Sequence, residues 1–197
     1  MTQNKKQRII GVTGIIGSGT STVSAILQEK YGAHVICADT ISRDVMEPGE
    51  LGYVKAVISF GEGILDLSGY INRKRLGKMV FEKPSMLRAL ENIIHPIVAL
   101  RTKKQAEGKP FVVIDAPLLV ESGLNAMCND VWLVSASNDI RLTRILQRDG
   151  LTEDEAMARI NSRKGDDYLR IHATQVLQNT GSVTDLEQQV KDLMEST

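Results

Sequence analysis

Gly14, Gly17, Ser18, Gly19, Thr20, Ser21 and Thr22 are residues whose types and spacing suit the binding of an anion. The apolar run Ile9-Ile10-Gly11-Val12 precedes them, and Val23, Ile26 and Leu27 follow at helical spacing, so the stretch reads as strand, glycine-rich loop, helix. Glycines let a backbone turn sharply and bring its N–H groups close to a phosphate, while the helix N-terminus adds the positive end of its dipole. Against the phosphate-loop pattern G-x-x-x-x-G-K-[ST], Gly14, Gly19 and Ser21 match, and Thr20 stands where the lysine would be. The loop is present and its cation is not.

Further candidates lie at the ends of apolar runs. His34-Val35-Ile36-Cys37-Ala38-Asp39 reads as a second strand with Asp39 at its C-terminal edge, where open parallel sheets bind ligands. Asp39 also suits the N-cap of a helix from Thr40, and the two readings are compatible. Phe111-Val112-Val113-Ile114-Asp115 is a buried-strand pattern ending in a carboxylate, a place where a magnesium shell or an attacking group is organised beside a phosphate loop. Arg141, Arg144 and Arg148 recur at i, i+3 and i+7, on one helical face. Alone that face reads as solvated surface; near a phosphate loop, arginine forks suit phosphate oxygens.

These groups need elements to position them. The first helix should end near Tyr31-Gly32. The segment from Glu47-Pro48-Gly49 to Gly69 is broken by glycines and reads as a turn-rich connection. Helices are expected over about 73–81 and 85–104, the second with an apolar stripe at Leu87, Leu90, Ile93, Ile94, Ile97 and Val98. His95-Pro96 interrupts it with a kink that could turn His95 out of the stripe; a structural histidine is the plainer reading. Val131–Ser135 reads as the next strand. Thr152 and Glu155 form a capping box for a helix carrying Arg159 and Arg163, a basic unit able to close over a nucleotide as a lid. Gln175–Gln178 is a last strand closed by Asn179-Thr180-Gly181, and Thr184–Glu187 caps a final helix whose Leu186, Val190, Leu193 and Met194 face the core. Alternating strands and helices give an α/β protein with a mostly parallel sheet, and the helical stretch between Thr40 and Gln105 is longer than one crossover needs.

The 197 residues suffice for one sizeable core with a small attached subdomain. Twenty-four basic and 24 acidic residues cancel, so no whole-protein field favours nucleic acid or a membrane surface. Cys37 and Cys128 are far apart and read as ordinary reduced thiols. Met1–Arg8 is polar and basic without an apolar signal region, and no stretch approaches the roughly 20 apolar residues of a membrane span, so a cytoplasmic protein is expected. A dinucleotide-binding reading has Thr13-Gly14 to Gly19, Asp39 and a Tyr70-x-x-x-Lys74 in its favour. Its glycine spacing is one residue short, its tyrosine falls too early in the chain, and it leaves the arginine face unexplained.

The series Gly11-Val12-Thr13-Gly14 through Ser21-Thr22, Ala38-Asp39, Ile71-Asn72-Arg73, His95-Pro96, Asp115 through Glu121, Arg144 through Asp149, and Asn179-Thr180-Gly181 resembles one family, the dephospho-coenzyme A kinases. The resemblance covers nearly the whole chain. It implies a P-loop NTPase-like three-layer fold with a core of about 8–39, 108–148 and 174–197, a helical coenzyme A-binding insertion of about 40–107 and a lid of about 149–173. It also implies transfer of the ATP γ-phosphate to the ribose 3′-hydroxyl of dephospho-coenzyme A. By motif match, Asp39 would be the base, Ser21 and Asp115 would serve Mg2+, and Gly14 to Thr22 would cradle the phosphates. Arg144 and Arg148 would neutralise charge, and Asn179 and Gly181 would border the adenine. Arg73, His95, Pro117, Leu118 and Glu121 would line the acceptor site.

The chain departs from the family pattern at Ile15 for glycine, Thr20 for lysine, Asn72 and Thr174 for aspartate, and Arg163 for glutamine. Loss of a preorganised donor such as the lysine costs on the order of 10² to 10³ in rate. Three readings follow: a kinase with another cation, Arg163 or Lys164, in the lysine's place; a pseudokinase that binds nucleotide or coenzyme A; or an altered copy of an active enzyme.

Overall fold

The computed structural model describes residues 7–161 and 165–196. Its centre is a five-stranded sheet in the order β2 (His34–Cys37), β3 (Phe111–Asp115), β1 (Arg8–Thr13), β4 (Asp130–Ser135), β5 (Gln175–Gln178). Parallel ladders set Val12 opposite Asp115, Thr13 opposite Leu133, and Ser135 opposite Gln178. After β1 the chain passes to one side of the sheet for β2 and β3, then returns to the other side for β4 and β5. The loop leaving β1 therefore sits at the topological switch point, the crevice where open α/β sheets take ligands.

The chain folds as two compact units, one of residues up to Ile36 together with those from Gly108 on, the other Cys37–Glu107. In the first unit the sheet is covered on both faces, which explains the uninterrupted apolar strands. Against one face, Val23, Ile26 and Leu27 of α1 (Thr20–Tyr31) and Leu186 and Val190 of α9 (Val183–Glu195) pack on Ile10, Val12, Val113, Trp132, Val134 and Leu177. Each such aliphatic side chain contributes about 1.5–3 kcal/mol by leaving water. α1 ends as expected: Gly32 takes φ 70°, and the N–H groups of Gly32 and Ala33 close on the carbonyls of Gln28 and Leu27. α9 starts earlier than expected, because Ser182, not Thr184, is its cap. The Ser182 hydroxyl accepts from Asp185 N–H while the Asp185 carboxylate accepts from Ser182 N–H.

Elsewhere in this unit, Ile145 of α6 (Asn138–Asp149) packs with Ala156 and Ile160 of α7 (Glu153–Asn161). The expected capping box opens α7, with Glu155 accepting from Thr152 N–H at 3.0 Å. A short helix not foreseen, α8 (Asp166–Arg170), places Leu169 against Leu133 and Ile15.

The second unit is helical: α2 (Ala38–Asp44), α3 (Leu51–Phe60), α4 (Arg73–Glu82) and α5 (Pro84–Ala106). Three expectations are corrected here. β2 stops at Cys37 and α2 begins at Ala38, so Asp39 is neither a strand end nor a cap; it lies in the first turn of α2, where an acid favours the helix dipole. The turn-rich connection contains α3. Its Gly52 is the site of a close approach, since a Cβ there would collide with the Val45 carbonyl, and Gly61 ends the helix at φ 79°. His95-Pro96 does not interrupt α5, which runs for 23 residues with Pro96 on its exposed side, where water can take the carbonyl that loses its partner. The buried row Ile94, Val98, Thr102, Ala106 repeats every four residues. Among the described residues no helix is long and apolar enough to cross a membrane.

Candidate phosphate site

Three glycines of the loop between β1 and α1 are required by their surroundings. A Cβ on Gly14 would lie 2.5 Å from the Val134 carbonyl oxygen; Gly17 (φ 80°) comes within 2.9 Å of the Arg141 carbonyl measured the same way. Gly19 (φ 98°) has the Asn179 amide where its Cβ would be. The loop turns on itself through Ser18 N–H to the Ile15 carbonyl at 2.9 Å. Among the described residues no acceptor takes the N–H groups of Gly19, Thr20 or Ser21.

The N-terminus of α1 is open. Gly19 holds the cap position without a side chain to offer, and the first turn carries no acid. Helices ordinarily satisfy these donors with Ser, Thr, Asp or Asn; leaving them bare at the switch point makes a site for a negatively charged group. Ser18 is buried at 1% exposure, and its hydroxyl has no partner among the described residues. Thr20 opens α1, half-buried, with Cγ2 against Gly14. Ser21 is exposed beside it.

Ile15 does not obstruct the loop. It is 4% exposed and packs in a cluster with Leu133 and Leu169, with Val120, Tyr168 and Ala173 around them. The extra side chain is absorbed by packing.

Asp115 ends β3, and its Oδ2 accepts from the Ser24 hydroxyl at 3.1 Å. Ser24 lies one turn beyond Ser21 on α1, so the carboxylate is tied to the helix that carries Ser21. Ser24 was not singled out in the sequence; its i, i+3 spacing from Ser21 is a local trace of this link. Ser21 and Asp115 offer a hydroxyl and a carboxylate oxygen, the hard-oxygen chemistry that Mg2+ takes, ordinarily one or two protein oxygens beside substrate phosphates and water.

The three arginines of α6 share a helical face and do three different things. Arg141 is buried; one nitrogen donates to Asn138 Oδ1 and another lies 3.8 Å from Asp166 of α8, whose second oxygen accepts from the Ser135 hydroxyl. Arg144 turns into the loop. Its Nη1 donates to the carbonyls of Gly17 at 3.2 Å and Ser18 at 3.3 Å, and its Nη2 to the Asn179 carbonyl at 3.3 Å and Oδ1 at 3.1 Å. Arg148 turns outward into a two-armed pair with Asp149, at 2.7 and 3.0 Å, which Arg159 joins at 3.2 Å. That pairing holds the Arg148 guanidinium more firmly protonated and the Asp149 carboxyl below its ordinary value. Arg163 and Lys164, the suspected replacements for the loop lysine, lie outside the described residues.

Asn179 follows β5 and is 6% exposed, its Nδ2 donating to the Ser18 carbonyl at 2.7 Å. Gly181 is exposed and leaves room for the Asp185 carboxylate that caps α9. After β3, the Pro117 carbonyl accepts from the Thr13 hydroxyl at 3.4 Å and the Leu118 carbonyl from the Ser122 hydroxyl at 2.6 Å. Glu121 Oε2 is buried without a partner among the described residues. Cys128 is a free thiol pushed up to about 12 by burial and then by Asp130, so it stays neutral and inert.

In the helical unit, Arg73 opens α4, donates to the Arg43 carbonyl at 3.3 Å and lies 3.6 Å from Glu47. His95 is half-buried midway along α5, and Asp39 is exposed on α2. Sequence reasoning missed Ser24, the Arg141–Asp166–Ser135 group and the Asn179–Ser18 bond. Apart from the serine spacing, these partners are joined across long stretches of chain and leave no local pattern.

The family model described as dephospho-CoA kinase matches residues 8–185. The dephospho-CoA kinase of Shouchella clausii is 40% identical over 193 residues, 95% of this chain and 98% of that one. Among solved structures, a Thermus thermophilus protein superposes with a TM-score of 0.81 at 34% identity, over 96% of this chain and 97% of that one. The dephospho-CoA kinase from Campylobacter jejuni gives a TM-score of 0.68 at 28% identity, over 97% of each.

Proposed function

The chain belongs to the dephospho-CoA kinase family, with its P-loop kinase fold, and from that premise we propose that it transfers the γ-phosphate of ATP to the ribose 3′-hydroxyl of dephospho-coenzyme A. The observation that carries the reading is the uncapped start of α1 behind a glycine loop whose Gly19, Thr20 and Ser21 N–H groups are unclaimed. In this reading those donors hold the β- and γ-phosphates, and the buried Ser18 hydroxyl supplies one more. Phosphoryl transfer asks little covalent chemistry of a protein, so positioning and charge stabilisation carry the rate.

Mg2+, when bound with ATP, neutralises charge on the phosphate oxygens; Ser21 and Asp115 are the oxygens that would hold it. Asp39 accepts or orients the acceptor hydroxyl's proton. Arg73, His95, Pro117, Leu118 and Glu121 shape the acceptor site, and the unpartnered Glu121 oxygen suits a ligand hydroxyl or amide donor. The segment carrying α7 and α8 acts as the lid, and residues 40–107 as the acceptor-binding unit. Thr20 in place of lysine lowers the rate without removing the anion site, because the N–H donors remain. The competing reading, a nucleotide or coenzyme A binder without turnover, rests on the same Thr20. Asp39→Asn separates them: transfer should vanish while ATP affinity holds. Equal transfer with and without Asp39 would remove it from the mechanism, and no transfer by the unmodified chain would favour the binder.

A further inference from the structure

We infer that Arg144 and Asn179 are positioning residues that aim the Gly19 N–H at the bound phosphates by holding the carbonyl of the same peptide. The inference rests on the reading of the loop as a phosphate site and assigns these two residues a different task from charge neutralisation and adenine contact.

In a planar trans peptide the C=O and N–H point in opposite directions. The Ser18 carbonyl accepts from Asn179 Nδ2 at 2.7 Å and from Arg144 Nη1 at 3.3 Å, on the side of α6 and β5. The N–H of that peptide belongs to Gly19, is directed the opposite way, and has no acceptor among the described residues. Two donors thus fix one end of a dipole whose other end is open.

Gly19 has φ 98°, a conformation that only glycine holds comfortably, and a Cβ there would strike the Asn179 amide. The close approach that demands glycine is the approach of Asn179 itself. Asn179 is in turn immobilised: its N–H donates to the Ser135 carbonyl at 2.8 Å, and its Oδ1 and carbonyl both accept from Arg144. At 6% exposure, with its amide engaged at both ends, its side chain has little left with which to read a base.

Charge enters through the same contacts. Arg144 is a cation bonded to the carbonyls of Gly17 and Ser18, and charge-assisted bonds of this kind polarise the groups they hold. A positive charge therefore supports the loop from behind its backbone in a chain that lacks the lysine in front of it. Arg144 acts on the anion through the Ser18–Gly19 peptide.

The test is the binding of inorganic tripolyphosphate, which has the charge of the nucleotide and no base, measured beside ATP by calorimetry in Mg2+ buffer. Asn179→Asp keeps the shape and the Arg144 partner but turns the donor on Ser18 into an acceptor. Arg144→Lys keeps the charge but not the fork that reaches Ser18 and Asn179 together. Loss of a hydrogen bond of this class predicts a fall of about tenfold or more in affinity, equal for tripolyphosphate and ATP, in both variants, with the ATP:GTP preference unchanged. A fall confined to ATP, or a changed ATP:GTP ratio, would make Asn179 a base reader and overturn the inference. Unchanged tripolyphosphate affinity in both variants would do the same, and if Asn179→Asp fails to fold, Arg144→Lys decides alone. A chain that binds tripolyphosphate with this pattern but never transfers phosphate would leave the inference standing while removing the kinase reading.

Discussion

Thr20→Lys should raise turnover substantially, and the structure sets its size. Thr20 is the first residue of α1, half-buried, with Cγ2 3.2 Å from where a Cβ on Gly14 would sit, so a side chain here runs along the inner wall of the loop. In the proposed reading, a lysine from the same root would carry its ammonium toward the β- and γ-phosphates. At 4 Å and an effective dielectric of 20, two unit charges attract by about 4 kcal/mol. ATP already gains part of this before transfer, and only the share that grows in the transition state raises kcat. A preorganised donor of this kind is worth on the order of 10² to 10³ in rate. Arg144 already lends the loop a positive charge, so the lower end applies: roughly 10²-fold in kcat, about 2.7 kcal/mol. Lysine is a slightly better helix former than threonine but sits at the positive end of the dipole, so Tm should barely move. Steady-state transfer to dephospho-coenzyme A, with a melting curve for each protein, measures both. An unchanged or lower kcat with Tm intact would refute the claim that the missing lysine limits this site.

Ile15→Gly should lower stability and leave kcat unimproved, because its side chain fills a cluster with Leu133 and Leu169 instead of the anion site; emptying it costs on the order of 3–5 kcal/mol, read from chemical denaturation. A gain in kcat would show that Ile15 does obstruct the loop. On the acid side, the Asp185 carboxyl is held below its ordinary value of 3.8, first by the Ser182 N–H and then by its hydroxyl. Its contribution is therefore present above that ordinary value and lost as pH falls through the lower folded one. Asp185→Asn should flatten stability against pH in that window, and an unaltered acid limb would contradict the cap. Cys37 is exposed while Cys128 is half-buried with its thiol pushed up to about 12, so a thiol reagent at pH 8 should modify one cysteine quickly in the native protein and both in denaturant. Rapid modification of both without denaturant would contradict the burial.

What could be read from the sequence was local. The strand–loop–helix around Gly14 announces itself because glycine spacing, the apolar run and the helical period all fall within 20 residues, and the buried strands ending at Asp115 and Ser135 are equally self-contained. α3 was hidden by Gly52, whose reason is the Val45 carbonyl pressing on it, a tertiary fact. The continuity of α5 through Pro96 likewise depends on which side of the helix faces water. The arginine face was visible as periodicity, but periodicity ranks Arg141, Arg144 and Arg148 as equals. Their partners, Asp166, the carbonyls of residues 17 and 18, and Asp149, separate them. Asn179 meets Ser18 across 161 residues of chain, and no sequence pattern carries such a meeting.

At the centre of the proposed function stands phosphate transfer to the 3′-hydroxyl by a loop without its lysine. Its most direct measurement is to incubate the unmodified chain with Mg-ATP and dephospho-coenzyme A, with Asp39→Asn as control, and to identify the product by mass and by the position of the new phosphate. Coenzyme A, phosphorylated at the ribose 3′-oxygen, should form above the control. Tight ATP binding with no such product, under conditions where Thr20→Lys forms it readily, would contradict the account and leave a nucleotide-binding protein disabled at one position.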